Sequence, residues 1–164
     1  MTQGSAPLFS LQGDPLGLTW GQFEAASATS YARTVTRSGV SRTDIRITMA
    51  GLIPNGVYSL FYRTFTPDSV NPICPAVESL VALPARFPLR QKPDPSSFVA
   101  DSSGGASFHA RVAGALLNAA QVQIWVVYHF DGHVYGPVPN SGEAVNCRPS
   151  YGSDAMRQLI IIQK

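Results

Sequence analysis

The clearest signal in the chain is strict alternation. From Thr43 to Leu52, Ile45, Ile47 and Met49 fall on one side, and Asp44, Arg46 and Thr48 on the other. That is the period of a strand with one buried face. Val57 to Phe65, VYSLFYRTF, is dense in aromatic and β-preferring residues. Between the two, GLIPNG supplies turn chemistry through Pro54 and Asn55-Gly56. The pair is therefore expected to form adjacent antiparallel strands. Ala28 to Ser38 is a weaker strand, with Tyr31, Arg33, Val35 and Arg37 opposite Ala32, Thr34 and Thr36. Leu18 to Ser27 is another weak strand. Gly105 to Gly114 puts Phe108, Ala110 and Val112 on one face and Ser107, His109 and Arg111 on the other. His109 is thus expected on the solvated side. Ala120 to Phe130 is the most apolar run and predicts a central strand, buried on both faces near Trp125 to Tyr128. Met156 to Lys164 is the final strand. Its LIIIQK end either pairs within its own sheet or adds to a neighbour's open edge.

Residues 66–101 have a different texture. Pro67, Pro72, Pro75, Pro84, Pro88, Pro93 and Pro95 fall in this stretch. Proline removes a ladder donor, so no central strand can run through it. A short helix over Ala76 to Ala82 is compatible with the pattern. A connection this long covers a sheet edge or crowns one end of a sandwich. Short strands, Pro/Gly turns and one long crossover predict an all-β fold: an antiparallel β-sandwich, with Greek-key order as one arrangement. A small closed β-barrel is the alternative. The length suits a single domain over residues 1–164, with 66–101 as a Pro-rich insertion within it.

Composition changes this picture in two ways. Only 13% of residues are charged, against roughly 25% in average domains. A charge-poor chain rich in Ser, Thr, Gly and Pro suggests a place outside the cytoplasm. The arginines are scattered and form no block, so a nucleic-acid partner is not expected, although folding can gather distant arginines onto one face. No apolar run is long enough to span a bilayer. The N-terminus lacks the charged and apolar regions of a signal peptide, and a mature segment carrying an initiator Met is the expected reading. Cys74 and Cys147 lie in Pro-flanked stretches. A disulfide between them is expected and would close a long loop, stabilising by roughly 4 kcal/mol in the chain-entropy model. Unpaired structural thiols and a reactive thiol remain alternatives. No Cys/His spacing supports a zinc site.

The candidate chemistry centres on HFDGHVYGPVPNSGE, His129 to Glu143. If Asp131-Gly132 is a two-residue hairpin turn, Phe130 faces His133 and His129 faces Val134. The two imidazoles then project from opposite faces and cannot share one metal. Each is read as a partly exposed residue bonding backbone or water. The ligand or metal candidates are His129, His133, His109 and Glu143, while Asp131 is explained by the turn. Tyr58, Tyr62, Trp125, Tyr128 and Tyr135 are candidates for an aromatic platform, with core packing as the plainer role. The sequence holds no GxSxG elbow, P-loop, HExxH or EF-hand loop, so no catalytic residue and no cofactor are assigned.

Two stretches together, GLIPNGVYSLFYRTF and VQIWVVYHFDGHVYGPVP, resemble segments of secreted bacterial β-sandwich proteins of unassigned function. In those proteins a Gly-Leu-x-Pro-x-Gly-x-Tyr turn precedes a strand, and a later strand ends in Tyr-His-x-Asp-Gly. The resemblance implies an exported sandwich and transfers no activity. The turn is also similar to that of copper/zinc superoxide dismutases, whose following strand carries a His-x-His pair. Tyr58 to Phe65 contains no histidine, which excludes dismutase chemistry. A blue-copper set of Cys147, His129, His133 and Met156 has no supporting spacing. The expected function is a non-enzymatic, extracytoplasmic β-sandwich with a structural or interaction role. Its partner would be protein, its own copies included, joined through sheet edges as a homo-oligomer. The alternatives are a cyclase- or isomerase-like enzyme with its site in a β-barrel pocket, and a mononuclear metal protein using His129 or His133.

Overall fold

The computed structural model describes residues 3–10, 13–65, 81–85, 95–133 and 155–163. Two antiparallel sheets dominate it. In the first, β3 (Ser27–Arg37) and β4 (Val40–Ala50) form a hairpin paired from Ser27↔Ala50 to Arg37↔Val40. Ser38 and Gly39 make the turn, both at positive φ (50° and 79°). That is the twist a two-residue hairpin loop needs. β8 (Ala106–Ala113) pairs with the other edge of β4. In the second sheet, β5 (Val57–Phe65) and β9 (Gln121–His129) pair along their length, and β10 (Ala155–Gln163) lies beyond β9. A separate hairpin joins β1 (Pro7–Phe9) to β2 (Pro15–Thr19).

Alternation then builds the core. Ile45, Ile47 and Met49 from β4, and Phe108, Ala110 and Val112 from β8, meet Tyr58 and Leu60 from β5 and Ile124, Val126 and Tyr128 from β9. This is the antiparallel β-sandwich expected from the pattern, and the described sheets do not close into a barrel. β9 is buried on both faces: Val126 and Tyr128 lie in the core, while Trp125 and Val127 join Phe61 in a second cluster. At one side of the sandwich, Gln163 of β10 hydrogen-bonds Ser30 of β3.

Three expectations need correction. β4 and β5 are consecutive but not adjacent. β4 already has β3 and β8 on its two edges, so GLIPNG carries the chain across to the other sheet. Leu18 to Ser27 is not a strand. β2 ends at Thr19, and Trp20–Glu24 is a helix, α1. Its start is a capping box: Gln22 N–H donates to Thr19 Oγ1, and Thr19 N–H donates to Gln22 Oε1. Finally, the helix expected over Ala76 to Ala82 is strand at its end. β6 (Val81–Ala82) pairs with β5, and the preceding positions lie outside the described residues.

The described parts of the Pro-rich crossover cover a sheet edge. β6 pairs Phe61 and Tyr62 of β5, while β7 (Ser97–Val99) pairs Val57 to Ser59 on the same edge. Between them, Ala85 bridges to Ala110 of β8. The segment therefore steps from one sheet to the other and covers that side of the core.

The sheet-to-sheet turn is fixed from beneath. The fully buried Tyr58 hydroxyl accepts from Ile53 N–H and donates to Gln158 Oε1, both at 2.7 Å. Gln158 Nε2 in turn donates to the Phe23 carbonyl at 2.7 Å. Burial pushes the Tyr58 pKa upward, so the hydroxyl keeps the proton it donates. The turn also docks on a second one: Leu52 N–H donates to the Gly104 carbonyl, and Asn55 N–H to the Asp101 carbonyl. Gly104 sits at φ +78°, and a Cβ there would lie 2.3 Å from the Leu52 carbonyl oxygen, so no other residue fits. Asp101 holds the second turn, accepting from Ser103 Oγ and from the backbone N–H of Gly105 and Ser103. These bonds keep its carboxyl below its ordinary pKa.

Tyr58→Phe removes the hydroxyl but keeps the ring, leaving the buried Ile53 N–H without its acceptor. A loss of about 1–3 kcal/mol is expected, read as a lower urea midpoint at unchanged slope.

Candidate functional site

The three histidines do not converge. β9 ends at His129, whose two strand neighbours are Val57 and Ala155. Both edges being taken at His129, the two-residue hairpin expected at Asp131-Gly132 does not form. Instead Gly132 N–H donates to the His129 carbonyl at 3.1 Å, closing a turn with Phe130 and Asp131 at its centre. Asp131 is a turn residue, as expected, because its Oδ1 accepts from His133 N–H at 3.0 Å. The His133 side chain is 78% exposed, with Nδ1 3.5 Å from Asp131 Oδ2. His129 is buried at 3%, not partly exposed, since both faces of β9 are covered. Its Nε2 lies 2.9 Å from Ser59 Oγ. Ser59 is buried as well, so this pair satisfies polar atoms inside the sheet and presents no nucleophile to solvent. His109 is on the outer face of the other sheet, opposite Arg46.

Glu143, Tyr135, Cys74 and Cys147 lie outside the described residues. Among those described, no three His, Cys, Asp or Glu side chains gather as a metal would require. The aromatic candidates divide between two faces. Tyr58 and Tyr128 are buried in the main core with Tyr62 packed against it, while Trp125 belongs to the cluster on the opposite side of the sheet. Burial raises the pKa of both Tyr62 and Tyr128. Trp125 has the guanidinium groups of Arg63 and Arg157 each 4.6 Å from its ring, within cation–π range.

The most developed polar arrangement is on the outer face of the three-stranded sheet. Register places Arg33 of β3 and Arg111 of β8 on either side of Asp44. Arg42 and Arg46 flank Asp44 two positions away along β4, on the same face. Asp44 is thus the centre of a cross of four arginines, at sheet spacings of about 5 Å across and about 7 Å along. It is buried, and Arg111 Nε donates to its Oδ1 at 2.7 Å. Arg37, opposite Val40, extends the same face toward the hairpin turn. Five of the chain's arginines therefore share one face with a single carboxylate. A cleft of about 100 Å³ opens there, lined by Tyr31, Arg33, Asp44, Arg46 and His109. The buried Nε–H of Arg42 has no hydrogen-bond partner among the described residues. Chemically, the arrangement suits an anion: guanidinium groups hydrogen-bond carboxylates, and Arg111 makes one such bond to Asp44.

Sequence reading found His109 here but missed the arginine cross. The signal was present: all five arginines fall on the polar phase of their strands. Their scatter along the chain hid that they share a face, because only the register of three strands assembles it.

No family model matches this chain, and no curated protein matches it either.

Asp44→Asn leaves four clustered guanidinium groups without their countercharge. The variant is expected to lose about 1–3 kcal/mol, and the loss should shrink as sodium chloride is raised, because salt screens the exposed like charges. Denaturation curves at low and high salt read both effects.

Proposed function

We propose that this protein is a non-enzymatic β-sandwich acting outside the cytoplasm as a structural or interaction module, and that it self-assembles through its sheet edges. The observation that carries the reading is the edge formed by β10. Among the described residues no strand lies beyond it. Leu159 to Gln163 contains no charge and no proline. Ile160 and Ile162 are exposed, Ile162 at 55%. Edges of free monomers are commonly blunted by lysine, proline or a bulge. Here a bulge between Arg157 and Leu159 disturbs only the start of the strand. β3, eleven residues long, is one of the two outer strands of the other sheet. The low charge of the chain and its Pro-flanked cysteines support a place outside the cytoplasm. Among the described residues no helix is long and apolar enough to cross a membrane. The enzyme alternative required a pocket inside a closed barrel, and the described sheets do not close.

Analytical ultracentrifugation over a wide concentration range tests this. Wild type should form dimers or larger species as concentration rises. Ile162→Lys, which puts a charge on the exposed edge, should remain monomeric with nearly the same melting temperature. A wild type that stays strictly monomeric at the highest concentration overturns the assembly.

A further inference from the structure

We propose that the outer face of the β3-β4-β8 sheet binds a carboxylated polysaccharide, seating one uronate carboxylate in the cleft between Arg33 and Arg46. This surface lies on a sheet face and does not depend on the strand-edge assembly proposed above.

Charge is the first ground. Five arginines and one carboxylate share the face, and the chain is otherwise charge-poor, with 13% charged residues. Concentrating like charge in this way costs stability through self-repulsion, so the arrangement points to an anionic partner that relieves it. The second ground is the type of anion. The Arg111–Asp44 contact, at 2.7 Å, shows a carboxylate already held by this array. Arg33 and Arg46 line the cleft beside Asp44, so a second carboxylate has guanidinium groups to meet there. The cleft, about 100 Å³, admits one such group and not a whole sugar. The rest of the ligand must therefore lie along the surface.

The third ground is Tyr31. Its side chain is 63% exposed, it lines the cleft, and it stands opposite Arg46 in the register. Each unit of a uronic acid chain carries a ring and a carboxylate together. The ring can lie on Tyr31 while the carboxylate meets Arg46 and Arg33. An acidic peptide offers carboxylates on flexible stems and loses more entropy on ordering. Single-stranded nucleic acid is usually bound by several stacking aromatics along a groove, and Tyr31 is the one aromatic of these three strands on this face. Duplex recognition needs an element that enters a groove, which the face of a three-stranded sheet does not supply.

The test is isothermal titration of the full chain with oligogalacturonate, alongside neutral dextran, polyglutamate, oligo-dT and phosphatidylserine vesicles. Wild type should bind oligogalacturonate most tightly, and its affinity should fall by about tenfold as salt rises from about 50 to about 200 mM. The double variant Arg33→Gln, Arg46→Gln should weaken binding at least about tenfold. Arg157→Gln, which removes one charge from the other sheet, should leave it within about twofold. Four results overturn the proposal: no binding of oligogalacturonate, an unchanged affinity in the double variant, an equal loss in Arg157→Gln, or equal or tighter binding of polyglutamate, oligo-dT or vesicles. Chemical-shift mapping on wild type keeps the question answerable if the double variant folds poorly. Shifts clustered at Tyr31, Arg33, Arg46 and His109 support the site, and shifts confined to the five-stranded sheet overturn it.

Discussion

The buried hydroxyl of Tyr58 must find its hydrogen bonds inside the protein, and much of the architecture follows from that. Shielded from solvent, the hydroxyl takes one hydrogen bond from Ile53 and gives one to Gln158. Through Gln158 the same chain of bonds reaches the end of α1 at Phe23 and Glu24. Four separate pieces of the molecule are thereby held in one position: the inter-sheet turn, β5, β10 and the short helix. A turn that crosses between sheets has no ladder of its own to stabilise it. Bonding from a side chain below, and docking on the Asp101 turn beside it, take the place of that ladder. Once the crossing is fixed, β4 is committed to the three-stranded sheet, and the direction in which Asp44 and its neighbouring arginines point is set.

The strands were largely legible because their physics is local. Alternation over Thr43 to Leu52 and over Gly105 to Gly114 identified the buried faces of β4 and β8, and the apolar run at Trp125 to Tyr128 identified the strand covered on both sides. What could not be read was which strand neighbours which. GLIPNG looks like a hairpin turn because turn residues report chain reversal, not whether the reversed chain joins the same sheet. His129 illustrates the same gap. Asp-Gly suggested a tight hairpin, but β5 and β10 already occupy both sides of the strand. The helix after Thr19 was legible and overlooked. Thr19-x-x-Gln22 is a capping box, and it outweighed the weak strand signal of that stretch. The arginine cross was the least legible of all, since four residues far apart or merely alternating in the chain become neighbours only through two registers.

The two sheets use arginine in contrasting ways. On the five-stranded sheet, Arg63 and Arg157 stack on Trp125, and Arg63 also bonds Gln123. There the guanidinium groups lie over an aromatic ring, within cation–π range. On the three-stranded sheet the arginines crowd a carboxylate and border an open cleft. The first arrangement stabilises the fold directly. The second gathers positive charge around one buried carboxylate and an open cleft, and the binding proposed above rests on it.

The split edge of β5 has a consequence for how this chain can change. β6 and β7 occupy different stretches of one strand, each pairing with it independently. Neither needs the segment between them to have a given length. Lengthening such a connection costs little, about 0.6 kcal/mol for each doubling. Residues can therefore be added between Ala85 and Pro95 at small cost while both anchors stay in register.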